Sequence, residues 1–129
     1  AIVGRDKGEG APLSGGDEFT APDFAATDAS GEPLIPTRSH VRLAHPEFND
    51  GTRILRRGYN FVDGNNILGR LDAGLFFLSY QRSPDQFVRL QRALSADVMN
   101  EYLRHVGSGV WAVPPGVAAG SYVGAGLFA

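Results

Sequence analysis

The chain contains no cysteine, which excludes disulfides, zinc–thiolate sites and thiol catalysis; it does not fix the compartment, since many exported proteins also lack cysteine. No run of about 18 apolar residues occurs, so no membrane span is expected. A basic stretch followed by an apolar one, the mark of a signal peptide, is also missing. Charge of either sign is not in excess: 12 Lys and Arg against 14 Asp and Glu give a formal net charge of -2. This disfavours a nucleic-acid binder that neutralises many phosphates, and it argues no better for a membrane surface. GRLDAG and GSGVWAVPPG lack phosphate-loop spacing, and neither GxSxG nor HExxH is present. Internal repeats are absent too. What remains is one domain's worth of chain, 129 residues of which 43% are apolar, enough for a sizeable core.

Histidine, arginine and aromatic residues concentrate in SHVRLAHPEFNDGTRILRRGYNF, residues 39–61. His40 stands beside Val41, Leu43 and Ala44, a setting that can hold a neutral imidazole against a metal. Arg56 follows Ile54 and Leu55 as if at the end of a buried strand, where a permanent cation needs an anion. The bland readings stand beside these. A lone histidine is more often a hydrogen-bonded structural residue than a ligand, and Arg56 with Arg57 also reads as a surface pair. His40 and His45 have no third ligand at a diagnostic spacing for zinc. His45, before Pro46, reads as a loop residue, and His105 as the cationic last turn of a helix. Tyr59 and Trp111 read as core or half-buried packing residues.

Taken in order, residues 1–39 carry Pro12, Pro22, Pro33 and Pro36 among many glycines and show no sustained periodicity. Spaced apolar anchors (Ile2, Val3, Leu13, Phe19, Phe24, Leu34, Ile35) make this an ordered wrapping loop, laid over a polypeptide outside this chain. Beginning on Ala1 rather than methionine, it reads as a processed or cleaved start. Asn49, Asp50 and Gly51 predict a turn, followed by a strand over 52–61 and a second turn at 63–65. LDAGLFFLSYQ, from Leu71, predicts a central strand buried on both faces, with Leu75 and Phe77 on one side and Phe76 and Leu78 on the other. Ser83 as N-cap, Pro84 at the first helical position, Asp85 in the first turn and Gln86 closing a capping box predict a helix with Phe87, Leu90 and Leu94 inward. A second helix is expected from a Ser95 cap, with Asp97 in its first turn, Val98, Tyr102 and Val106 inside, and Gly107 as its stop. A strand over 109–113 should end at Pro114 and Pro115, and the glycine-rich apolar tail should pack. The pattern is α+β, half or more of a ferredoxin-like sandwich. Its few strands cannot close a sheet, so the chain reads as a fragment of a larger fold, divided into the loop segment 1–39 and a ferredoxin-like portion 40–129.

SHVRLAHP, ILRRGYNF, LDAGLFFLSYQR, the closing VPPG and the opening IVGRDKGEGAPLSG together resemble the C-terminal portion of dye-decolorizing peroxidases, in the exported branch that includes deferrochelatase-type enzymes. The resemblance spans essentially the whole chain. It implies a ferredoxin-like, dimeric α+β barrel fold and haem b, with His40 as the axial ligand of the iron. It also implies Arg56 as the distal arginine, Arg42 as partner of a haem propionate, and Leu75 and Phe77 facing the porphyrin. A ligating imidazole donates its other N–H to an acceptor; Glu101, or failing it Asp97, is expected in that role. The family's distal acid–base aspartate lies in a GxxDG motif that this sequence lacks. NDGT at 49–52 and FVDGN at 61–65 read as turns, so Asp50 and Asp63 are not assigned to catalysis, and the aspartate is expected on an N-terminal polypeptide of the same enzyme. The implied activity is oxidation of dyes, phenols or similar aromatic reductants by hydrogen peroxide, with Tyr59, Tyr102 or Trp111 passing electrons for bulky substrates. Two other classes stay open: a haem-binding or iron-handling protein without strong peroxidase activity, and a cofactor-free α+β interaction module. An exported location is implied by the family branch alone.

Overall fold

Between Ile2 and Ser39 the backbone satisfies its polar groups in tight turns rather than in helix or sheet. The computed structural model describes residues 2–127; Ala1, read above as a processed start, and the last two residues of the tail lie outside the described residues. Three aspartates organise the loop. Asp6 Oδ1 accepts from the N–H groups of Gly8 and Glu9, Asp17 Oδ1 from Phe19, and Asp28 Oδ1 from Ser30 and Glu32. Short side chains of this kind replace the missing ladder bonds locally. Arg5 spans the first turn, donating from Nη1 to the carbonyls of Gly10 (2.6 Å) and Glu18 (2.9 Å). The core is small and sits here: Ile35 and Ser39 are fully buried, with Gly4, Ala11 and Pro12 beside them in the same class. Phe19, expected as an anchor, is 88% exposed, because the Asp17 turn holds it at a loop tip.

A single helical turn, α1 (His40–Leu43), follows, and then a 3₁₀ turn, Pro46–Phe48, capped by the His45 ring, which accepts from the Glu47 N–H. Strands β1 (Leu55–Asn65) and β2 (Leu71–Tyr80) form an antiparallel hairpin. The turn lies later than the 63–65 expected. Asn66 Oδ1 accepts from the N–H groups of Leu68 and Arg70, and Gly69, at φ +73°, reverses the chain. Asp63 and Gly64 are instead absorbed into β1 where the register shifts between Val62 and Asn65, as a bulge does.

Helix α2 (Pro84–Ala93) starts on the full Ser83/Gln86 capping box and buries Leu90. The expected second helix does not form. Residues Leu94–Ala96 and Val98–Tyr102 make two 3₁₀ turns separated by Asp97 in extended geometry (φ -66°, ψ 124°), and Asn100 Nδ2 ties back to the Leu94 carbonyl. His105 is therefore not in a helix. The expected strand over 109–113 is absent as well: residues 103–113 are irregular and exposed. Among the described residues of the tail, only Gly124 is buried. The hairpin also departs from expectation, since β2 was read as buried on both faces, yet Leu75, Phe76 and Phe77 are 57%, 58% and 43% exposed. No described element covers either face, and a two-stranded hairpin is marginal by itself. Both faces of the hairpin thus present apolar side chains to solvent among the described residues.

Candidate functional site

The geometry around His40 begins with the first residues of the chain. The N–H groups of His40 and Val41 donate to the carbonyls of Ile2 (3.1 Å) and Val3 (3.0 Å), so 2–3 runs along 40–41 as a short splint. Gly4 follows at φ +90°, where a Cβ would lie 2.3 Å from Val41 Cγ1 and 3.0 Å from Ser39 Oγ. Only glycine permits so close an approach there. From the other side, Val98 N–H donates to the Arg38 carbonyl (3.2 Å) and Arg38 Nε to the Ala96 carbonyl (2.9 Å). These two bonds set Asp97 opposite His40.

The resulting pair is close: His40 Nδ1 to Asp97 Oδ2 is 2.6 Å, with the carboxylate side chain 2% exposed and the imidazole 25% exposed. Asp97 Oδ1 meanwhile accepts from Met99 N–H at 2.9 Å, so both carboxylate oxygens have partners. A carboxylate at Nδ1 fixes the proton on that nitrogen and leaves the lone pair on Nε2. Glu101, the first choice for this acceptor, lies exposed in the 3₁₀ turn Val98–Tyr102, and its side chain makes no hydrogen bond or ion pair among the described residues. Among the described residues no group of three or more His, Asp or Glu is gathered to hold a metal ion. One imidazole nitrogen, backed by a buried carboxylate, suits an iron whose other positions are filled by a macrocycle, and it does not suit a protein-built tetrahedral site. The residues present therefore fit haem.

Arg42 is held beside this pair. Its Nη1 donates to the Phe24 carbonyl at 2.9 Å, and its guanidinium lies 4.6 Å over the Phe48 ring and 5.5 Å over Phe24. Phe24 also meets Phe48 edge-on (5.1 Å) and the His45 ring (4.9 Å). The arginine thus pins the wrapping loop to α1 through cation–π contacts, and its other N–H groups have no partner among the described residues.

The second set of residues lies on the hairpin. The register pairs Arg56 with Ser79, Gly58 with Phe77 and Asn60 with Leu75, and side chains directly opposite share a face. Arg56, Leu75 and Phe77 line one open concavity of ≈ 520 Å³ together with Gly58, and Arg57 and Tyr59 of the opposite face also border it. Arg56 is the second residue of an exposed strand, and not the end of a buried one. Tyr59 belongs to the opposite face with Phe76. Arg57 lies 5.8 Å over the Tyr59 ring, its Nε 3.4 Å from the hydroxyl. Tyr102 and Trp111 are 68% and 77% exposed, and Tyr59 is 50% exposed, which replaces the packing role read for Tyr59 and Trp111. Asp50 sits in its turn at φ +58°, and Asp63 in the β1 irregularity. Sequence reasoning passed over Gly4 and Gly58. Nothing distinguishes them among 17 glycines until the neighbours that fill their missing side chains are known.

Residues 1–118 match the family model described as "Dyp-type peroxidase, C-terminal". The chain is 43% identical to a dye-decolorizing peroxidase of Thermobifida fusca over 129 residues, and 38% identical to a deferrochelatase of Escherichia coli over 130. Each alignment takes in 98% of this chain and 30% of the relative. The structure superposes on an oxyferrous complex of DtpA from Streptomyces lividans with a TM-score of 0.91 at 42% identity, over 99% of this chain and 36% of that one. The chain therefore spans about a third of the proteins it matches.

Proposed function

Because this chain belongs to the DyP-type peroxidase family and is the C-terminal portion of its ferredoxin-like α+β fold, we propose that it supplies the axial-ligand half and the arginine of a haem peroxidase site. The remaining length of the relatives supplies an N-terminal polypeptide that completes it. Haem b, when bound, provides the redox-active iron that reacts with hydrogen peroxide. The observation that carries this reading is the 2.6 Å pair of His40 with a buried carboxylate.

His40 would hold the haem iron through Nε2, while its Nδ1–H donating to Asp97 orients the ring and makes Nε2 more basic. The Ile2 and Val3 carbonyls hold the His40 and Val41 backbone, so the ring does not swing away. Arg42 faces a propionate with its remaining N–H groups. On the hairpin, Arg56 presents a charge that persists at any working pH, placed to stabilise negative charge on a peroxide oxygen. Leu75 and Phe77 keep bulk water from that face. The proton transfer falls to the aspartate expected on the N-terminal polypeptide. Aromatic reductants too large for the site give up electrons at the surface through Tyr59, Tyr102 or Trp111. An exported location belongs to the same reading; no helix among the described residues is long and apolar enough to cross a membrane.

The test uses the assembled protein, this chain with its N-terminal polypeptide. Arg56→Leu should retain the Soret band yet slow the peroxide reaction about 10²–10³-fold in stopped flow; an unchanged rate removes Arg56 from the chemistry. Replacing Tyr59, Tyr102 and Trp111 each by phenylalanine should slow oxidation of a bulky dye and leave the peroxide step alone. A protein that binds haem but reacts with peroxide no faster than haem in solution would support the iron-handling alternative.

A further inference from the structure

Gly58 stands in β1 between Arg56 and Asn60, on the face they share with Phe77 and Leu75. Its φ lies outside the left-handed region, so the backbone itself does not call for glycine. The space around it does. A Cβ built at Gly58 would lie 3.0 Å from Leu75 Cδ1 and 3.9 Å from Leu75 Cγ and Cδ2. Leu75 is the cross-strand partner of Asn60, so its side chain reaches diagonally back along the sheet and lies over the bare backbone of Gly58. Arg56, Gly58, Leu75 and Phe77 line the same open concavity, which Arg57 and Tyr59 also border.

We propose that Gly58 is a specificity-determining position, acting through Leu75: by leaving its place empty it lets Leu75 lie flat against β1, and so sets the room available to a molecule held beside Arg56. This rests on the haem peroxidase reading of the same face. A methyl group at 58 lifts Leu75 off the strand and into the concavity. Leu75 has to give by a few tenths of an ångström, which narrows the concavity more for a planar five-membered ring than for a diatomic anion. Leu75 is the residue that moves because the three heavy atoms nearest to a Cβ at this position all belong to its side chain.

The experiment compares cyanide and imidazole as ligands of the ferric, haem-loaded, assembled protein, read by the shift of the Soret band and independent of turnover. Gly58→Ala should weaken imidazole about tenfold while changing cyanide less than about twofold. Removing the obstruction in Gly58→Ala/Leu75→Ala should restore imidazole to at least its original affinity, and Leu75→Ala alone should strengthen it. Equal effects on both ligands, no effect in Gly58→Ala, or an imidazole affinity that Leu75→Ala leaves unchanged would each overturn the proposal. Leu75→Ala needs no added bulk and decides the matter even where Gly58→Ala fails to assemble. Failure of the underlying reading looks different: the unsubstituted protein would then show no Soret band at all, and the proposal would fall with it.

Discussion

Replacing Asp97 by asparagine changes one atom and almost no volume, yet it should disable the ligand geometry. Asp97 Oδ1 accepts from Met99 N–H at 2.9 Å and Oδ2 faces His40 Nδ1 at 2.6 Å. Asparagine keeps the first bond by leaving its oxygen on Met99, which turns its NH₂ group toward His40. Nδ1 then has to accept, the ring proton moves to Nε2, and the lone pair needed for iron is lost. A hydrogen bond to a charged group contributes about 1.5–3 kcal/mol. Loss of a carboxylate behind a ligating histidine typically costs about 10–100-fold in metal affinity, or about 1.4–2.7 kcal/mol, so the two estimates coincide. The assay is the rate of haem transfer from the assembled protein to an excess of a high-affinity haem acceptor, together with the ferric/ferrous reduction potential. Asp97→Asn should release haem about 10–100-fold more readily and raise the potential, and Glu101→Gln should do neither. Unchanged release in Asp97→Asn, or a larger effect in Glu101→Gln, would refute the reasoning.

Three further outcomes follow from the same geometry. Gly4→Ala combines a positive φ with a Cβ 2.3 Å from Val41 Cγ1, and should cost about 2–4 kcal/mol in urea denaturation of the assembled protein, with weakened haem retention because the splint along His40 is displaced. Ser83→Ala removes the acceptor for Asp85 N–H in the capping box and should cost about 1 kcal/mol without changing the Soret band. The Asp6, Asp17 and Asp28 carboxyls are held below their ordinary value of 3.8, chiefly by the Glu9 N–H, the Thr20 hydroxyl and the Ser30 hydroxyl respectively. Their stabilisation is therefore present above about pH 4 and lost as pH falls through the lowered values; the protection of amides in 6–32, taken relative to the intrinsic exchange rate at each pH, should fall below pH 4, and not in the triple asparagine variant.

Local chemistry was legible in the sequence where a few neighbouring side chains decide the outcome. Ser83, Pro84 and Gln86 specify the start of α2 among themselves, and alternation along 71–80 placed Leu75 and Phe77 on one face. Resemblance supplied His40 and Arg56 as the residues to watch, and of the two acceptors expected behind His40 it is the second choice, Asp97, that bonds it in the structure. Asp97 was read as a first-turn residue of a helix because capping and first-turn acids look alike in sequence. In the structure its side chain bonds His40 from 57 positions away, and its own extended backbone breaks the helix. The turn was misplaced because Asp63, Gly64 and Asn65 are as good turn formers as Asn66 and Gly69, and the choice rests on the cross-strand register. Burial of β2 was misread: a continuous apolar run looks like a strand covered on both sides, yet Leu75, Phe76 and Phe77 are exposed and no described element covers them.

The most direct measurement is the absorption spectrum of the assembled, haem-reconstituted protein with His40→Ala, before and after adding imidazole. The account predicts that the substitution abolishes the axial-histidine Soret signature, that exogenous imidazole restores it in the cavity left behind, and that Arg56→Leu under the same conditions keeps it. A His40→Ala protein whose spectrum matches the unsubstituted one would contradict the account and return His40 and Asp97 to a structural hydrogen bond.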